Sequence, residues 1–188
     1  MALDLFRSRW LVAGQGGGGW LQKGKEIIDT THRLCQKLGV IPLFEKNGLL
    51  PAGVHWAISM DDLSARFGSN GHRQRLLRGF SRAADSLAGA GCSSLFLDGS
   101  FVSAKEYPDD YDACWETTGV DLARLDPLFL DFNNLRARQK ARFFGEFFPV
   151  LARAESSSPF RTFFEFFQTD KVSGEAKGIV GIKLVAAL

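Results

Sequence analysis

An α/β (α+β) domain, with a small mixed sheet flanked by helices, is what this sequence predicts, and three observations carry the expectation. Segments with helical periodicity alternate along the chain with short apolar runs of strand length, which favours layers of helix and sheet over an all-α or all-β fold. The 188 residues suit one compact domain with room for an appendage. A composition of 45% hydrophobic and 23% charged residues is that of a globular chain and excludes one disordered throughout.

Residues 1–48 read as a flexible glycine-rich leader and residues 49–188 as the folded domain. The tract Gly14-Gln15-Gly16-Gly17-Gly18-Gly19 marks the leader, Lys25 to Leu38 within it has the spacing of a short helix, and Ile41 to Gly53 reads as irregular, extended chain. Ser59 followed by Asp62 is a capping-box pattern, so a short helix is expected over Met60 to Phe67, ended by Gly68. Asn70 caps a longer helix. Its apolar face is Leu76, Leu77, Phe80, Ala83, Ala84 and Leu87, its other face carries Arg73, Arg75, Arg78 and Arg82 as a solvated row, and Gly89 and Gly91 end it.

Ser94 to Leu97 and Tyr111 to Trp115 are expected as buried strands, separated by a polar loop containing Lys105, Pro108 and Asp109. Leu122 to Leu130 and Asn134 to Phe144 read as helices, and Phe147 to Leu151 as a third strand. Ser158-Pro159 resembles a cap and first helical position, and the i, i+3, i+4, i+7 recurrence of Phe160, Phe163, Phe164 and Phe167 then favours a helix. Lys177 to Val185 closes the chain as a strand in a sheet of about four.

Several function classes lose support on composition. A formal net charge of +2 is no footprint of a general DNA binder. Cys35, Cys92 and Cys114 are too scattered for a metal knuckle or a disulfide framework, which points to reduced, cytoplasmic thiols. No apolar run reaches the length of a membrane span, and no membrane partner is expected. Gly14, Gly16 and Gly19 match a dinucleotide fingerprint without its βαβ unit, and Gly19 with Gly24-Lys25 matches a P-loop except that Glu26 stands where a hydroxyl should hold magnesium. His32, His55 and His72 show no metal-binding spacing.

The informative stretch is Asp98-Gly99-Ser100-Phe101, then Asp110-Tyr111-Asp112. On a strand, carboxylates at i and i+2 face the same side and repel unless a cation joins them. A Gly-Ser at the end of the preceding strand offers unobstructed N–H groups and a hydroxyl, which suit a phosphate. Gly99-Ser100, nine intervening residues and Asp110-x-Asp112 resemble the signature of nucleotidyltransferases related to DNA polymerase beta. Together with Leu130-Asp131-Phe132, Gln139-Lys140-Ala141-Arg142-Phe143 and Lys177-Gly178-Ile179-Val180, they are similar to a small bacterial nucleotidyltransferase-like family of unknown function, over roughly Leu49 to Leu184.

That resemblance implies a minimal nucleotidyltransferase core and magnesium-dependent transfer of a nucleoside monophosphate from a nucleoside triphosphate to a hydroxyl of RNA, protein or a small molecule. Asp110 and Asp112 would bind one or two Mg2+ ions, Gly99, Ser100 and Lys140 would hold the triphosphate, and Glu146 would supply the third carboxylate, with Glu165 as the second choice. Arg136 and Lys140, at i and i+4, could also meet a triphosphate or an RNA backbone. The rival reading is a catalytically inactive nucleotide-binding or interaction module of a toxin-antitoxin or phage-defence pair. Asp98, where the nucleotidyltransferases carry a hydrophobic residue, motivates it by adding negative charge where phosphate would approach.

Overall fold

A computed structural model describes residues 40–156 and 159–185. The expected leader up to residue 39, its helix and the Ser158 cap lie outside the described residues. Five strands form one mixed sheet in the order β1-β5-β2-β3-β4. They are β1 (Gly53–Ala57), β2 (Ser94–Asp98), β3 (Asp112–Trp115), β4 (Glu146–Pro149) and β5 (Gly178–Lys183). β1 runs parallel to β5 and β3 parallel to β4, while β2 is antiparallel to both β5 and β3. Among the described residues four α-helices accompany them: α1 (Met60–Phe67), α2 (Gly71–Gly89), α3 (Ala137–Phe143) and α4 (Phe163–Phe167).

The coarse class is as expected, a small α/β domain with helices against a mixed sheet. α1 begins at the expected capping box, with the Ser59 hydroxyl accepting from the Asp62 amide at 3.2 Å and the Asp62 carboxylate accepting from the Ser59 amide at 3.0 Å. α2 starts where Asn70 accepts from the Arg73 amide at 2.9 Å. Four expectations change, one being the helix expected over Asn134 to Phe144, which starts only at Ala137 because Asn134 to Arg136 have positive φ. β1 is a fifth strand just past the irregular stretch, at Gly53–Ala57, where no element was expected. Leu122 to Leu130 is turn and a short 3-10 segment, because Pro127 sits beyond a new cap at Asp126, whose side chain accepts from the Leu128 amide at 3.0 Å. The phenylalanine helix shrinks to α4, because Thr162 and Glu165 form a capping box that starts it at Phe163.

Period-two alternation divides the sheet into two faces. Leu95, Leu97, Ala113, Trp115, Phe147, Val180 and Ile182 join the main core with Leu63, Phe67, Leu76, Phe80 and Phe143 of α1, α2 and α3. Phe96, Cys114, Phe148 and Ile179 point the other way and pack on Phe163, Phe164, Phe166 and Phe167. One five-residue helix thus lies over this second face, with Phe148 and Phe163 stacked at 4.0 Å between centroids.

Arg73 corrects the expectation of a solvated arginine row. It is buried, and its guanidinium donates to the carbonyls of Phe67 at 2.5 Å, Lys105 at 2.7 Å and Phe101, while lying over the Phe101 ring at 4.5 Å. A buried cation without such acceptors would be costly, so Arg73 ties the end of α1 and the loop after β2 to α2.

The other end of that packing rests on Gly79. A Cβ there would come 1.9 Å from the Phe143 carbonyl oxygen and 2.8 Å from the Phe144 ring, so only glycine lets the end of α3 lie on α2. Phe144 closes α3 at φ +66°, and Tyr111, wholly buried among Phe80, Phe101 and Phe147, donates to the Phe143 carbonyl at 2.8 Å. Gly79→Ala should therefore destabilise the fold by about 2 to 3 kcal/mol through overpacking. Gly89→Ala in the same helix, where a Cβ meets nothing within 4 Å, should stabilise by about 0.5 to 1 kcal/mol. Urea denaturation of the two variants checks the contrast, and equal effects would contradict this packing.

Candidate functional site

The residues singled out in the sequence do meet at one end of the sheet. In register, Asp98 of β2 pairs with Asp112 of β3, and Asp112 pairs with Glu146 of β4. Side chains paired across neighbouring strands share a face, so these three acids form a row. They lie on the α4 side, because Asp98 alternates with Leu97 as Phe96 does, Asp112 shares a face with Cys114, and Glu146 with Phe148.

Gly99 makes the row possible. At φ +80° it turns the chain directly after β2, and a Cβ would stand 2.7 Å from Asp112 Oδ2 and 3.0 Å from the Asp112 amide. Ser100 then opens a 3-10 turn, and its carbonyl accepts from the Ser103 hydroxyl at 2.6 Å.

Cations of the same chain occupy most of the row. Lys177, two residues before Ile179 and therefore on the same face, is bonded to Asp98. Arg136 Nε donates to Glu146 Oε2 at 2.6 Å. Lys140 bonds the other Glu146 oxygen and reaches Asp110 at 3.2 Å. Arg136 attains its position at a cost, since Asn134, Leu135 and Arg136 have φ of +47°, +51° and +56°. Such backbone costs L residues other than Asn and Asp roughly 1 to 2 kcal/mol each. The turn also sets the Arg136 guanidinium 4.7 Å from the centre of the Phe148 ring.

Asp112 is the acid in this row with no ion pair or side-chain hydrogen bond among the described residues. Burial pushes its carboxyl up to about 6, and the charges of Asp98, Glu146 and Asp110 push the same way. Burial also raises Asp98, against the pull of Lys177. The Lys140 ammonium is raised by its hydrogen bond to Glu146. Glu165, the second choice for a third carboxylate, is spent on its own helix, accepting from the Thr162 amide at 2.8 Å.

This donor set does not fit the expected magnesium site. A magnesium ion demands near-ideal octahedral geometry from oxygen ligands. Here the oxygens of Glu146 and an oxygen of Asp98 already face ammonium or guanidinium groups, and Lys140 also holds Asp110. Among the described residues no group of three or more His, Cys, Asp or Glu side chains is placed to hold a metal ion.

The chain belongs to DUF6932, a family of unknown function whose model matches residues 42–183. No curated protein and no solved structure matches it. The family carries no assigned activity, and together with the missing metal cluster this overturns the resemblance to nucleotidyltransferases, the magnesium requirement and the expected transferase activity. Among the described residues no helix is long and apolar enough to cross a membrane.

Sequence reasoning missed Lys177 and Arg136 as counter-ions to these acids. Lys177 was findable, because a buried Asp98 at a strand end demands a cation and Lys177 shares a face with Ile179. Gln139 was also missed. Wholly buried, it donates to the Leu128 carbonyl at 2.8 Å and accepts from the Phe147 amide at 2.8 Å, satisfying the outer side of edge strand β4.

An acid whose folded pKa exceeds its unfolded value binds its proton more tightly when folded, so its contribution to stability grows as pH falls from above about 6 towards 4 and is constant below that. Asp112→Asn removes the charged form. It should be more stable than the natural chain by about 1 to 2 kcal/mol near pH 7.5, a figure discounted for partial exposure, with the gap closing towards about pH 4. Urea denaturation across that range measures it, and a gap that widens with falling pH would contradict the arrangement.

Proposed function

We propose that this domain is a non-catalytic interaction module, one half of a toxin-antitoxin or phage-defence pair. The observation that carries this reading is the internal neutralisation of the acid row: Lys177, Lys140 and Arg136 take the places that a metal ion or a substrate phosphate would need. A domain built this way acts by occupying a partner. The second sheet face supports the reading, since Trp56, which packs edge-on against Phe96 there, is 39% exposed.

Two measurements test the reading. Purified protein given each nucleoside triphosphate with magnesium should release no pyrophosphate above the buffer rate, and Asp112→Ala should change nothing. Release that Asp112→Ala abolishes would overturn the non-catalytic reading. Co-expression with the product of each adjacent open reading frame should give one complex that survives size-exclusion chromatography. Elution of the chain alone in every case would overturn the paired reading.

A further inference from the structure

α2 carries a second feature that the acid row does not use. Arg75, Arg78 and Arg82 are all exposed and fall at i, i+3 and i+7, so they form one stripe along the helix, opposite the Leu76, Phe80 and Ala83 side that enters the core. None of the three has an ion pair among the described residues. Elsewhere Arg136, Arg138, Arg142 and Arg161 are paired with Glu146, Asp131, Asp126 and Glu155, while Arg66, Arg73 and Arg153 donate to backbone carbonyls. The only acid of α2 is Asp85, one turn beyond Arg82.

The stripe is also held in place. Phe144, lodged over Gly79, carries the Arg75 guanidinium 4.4 Å and the Arg82 guanidinium 5.2 Å from its ring centre, and Arg82 Nη2 donates to the Arg142 carbonyl at 2.9 Å. Contacts of this kind orient guanidinium groups before a ligand arrives, which lowers the entropy lost on binding.

We infer that the Arg75, Arg78 and Arg82 stripe docks an acidic helix of a partner protein. This rests on the interaction-module reading and names the chemistry of the partner. At about 1.5 Å rise per residue the three arginines span about 10.5 Å, the length over which a second helix presents carboxylates at i, i+3 or i+4, and i+7. Each guanidinium can take a carboxylate through two parallel hydrogen bonds. A single-stranded RNA is the poorer fit. Such sites combine a long basic groove with open aromatic platforms, whereas this stripe is short, the chain is nearly charge-balanced, and the ring beside the stripe already carries two arginines.

Fluorescence anisotropy on the full chain decides the matter with three probes. One is a labelled alanine-based helical peptide with glutamates at i, i+4 and i+7, one has the same composition with the glutamates spread around the helix, and one is an oligouridine of equal charge. The striped peptide should bind about tenfold or more tightly than the scattered one, and Arg78→Glu should weaken it about tenfold or more. Arg78 makes no hydrogen bond, ion pair or ring contact among the described residues, so this variant is expected to fold, and its circular dichroism checks that. Arg75→Gln with Arg82→Gln supplies an independent second variant with the same expected direction. Equal affinity for the two peptides, tighter binding of oligouridine, or indifference to both variants would overturn the inference. Any of those results leaves the non-catalytic reading standing, because pyrophosphate release decides that separately.

Discussion

The structure turns on a row of acids across three adjacent strands that the chain neutralises with its own cations. Asp98, Asp112 and Glu146 are brought side by side by the register of β2, β3 and β4. Like charges at that separation would oppose the sheet pairing, yet β2 and β3 are both inner strands that cannot be spared. Lys177, arriving just before β5, and Arg136 and Lys140, arriving around the start of α3, remove most of the repulsion. Asp112 is left to respond by binding its proton more tightly, its carboxyl pushed up to about 6.

That constraint explains features that otherwise look unconnected. Gly99 is needed so that the turn after β2 clears the Asp112 carboxylate, and the left-handed turn at Asn134 to Arg136 is tolerated because it delivers Arg136 to Glu146. α3 must then lie close to α2 so that Lys140 reaches both Asp110 and Glu146, and Gly79 permits that approach. The same approach seats Phe144 under Arg75 and Arg82. Neutralising the row on one side of the sheet and presenting arginine on the opposite helical layer are consequences of one placement of α3.

Local signals in the sequence were strong where they belonged to one element. The Ser59 and Asp62 box, the Asn70 cap and the apolar face of α2 all stand where their residues put them. β1 escaped notice because Gly53 to Ala57 is short and follows Pro51, and its partner β5 lies near the other end of the chain. α4 was drawn too long because the phenylalanine spacing outweighed Thr162-x-x-Glu165, a capping box plainly readable in the sequence. At the candidate site, the spacing of Asp110 and Asp112 announced clustered charge but said nothing of what neutralises it. Of the counter-ions, Arg136 and Lys140 are brought in only by the strand register and the turn before α3. A motif of acids is compatible with a metal or with lysine and arginine, and the difference is tertiary.

Carboxyl-carbon NMR titration of Asp112 and Glu146, with and without millimolar magnesium, tests the central claim most directly. Internal neutralisation predicts that Asp112 titrates near 6 and that neither carboxyl signal moves on adding magnesium. A saturable shift of both signals with magnesium, together with a fall in the Asp112 midpoint, would contradict it, because a bound cation favours the ionised acid.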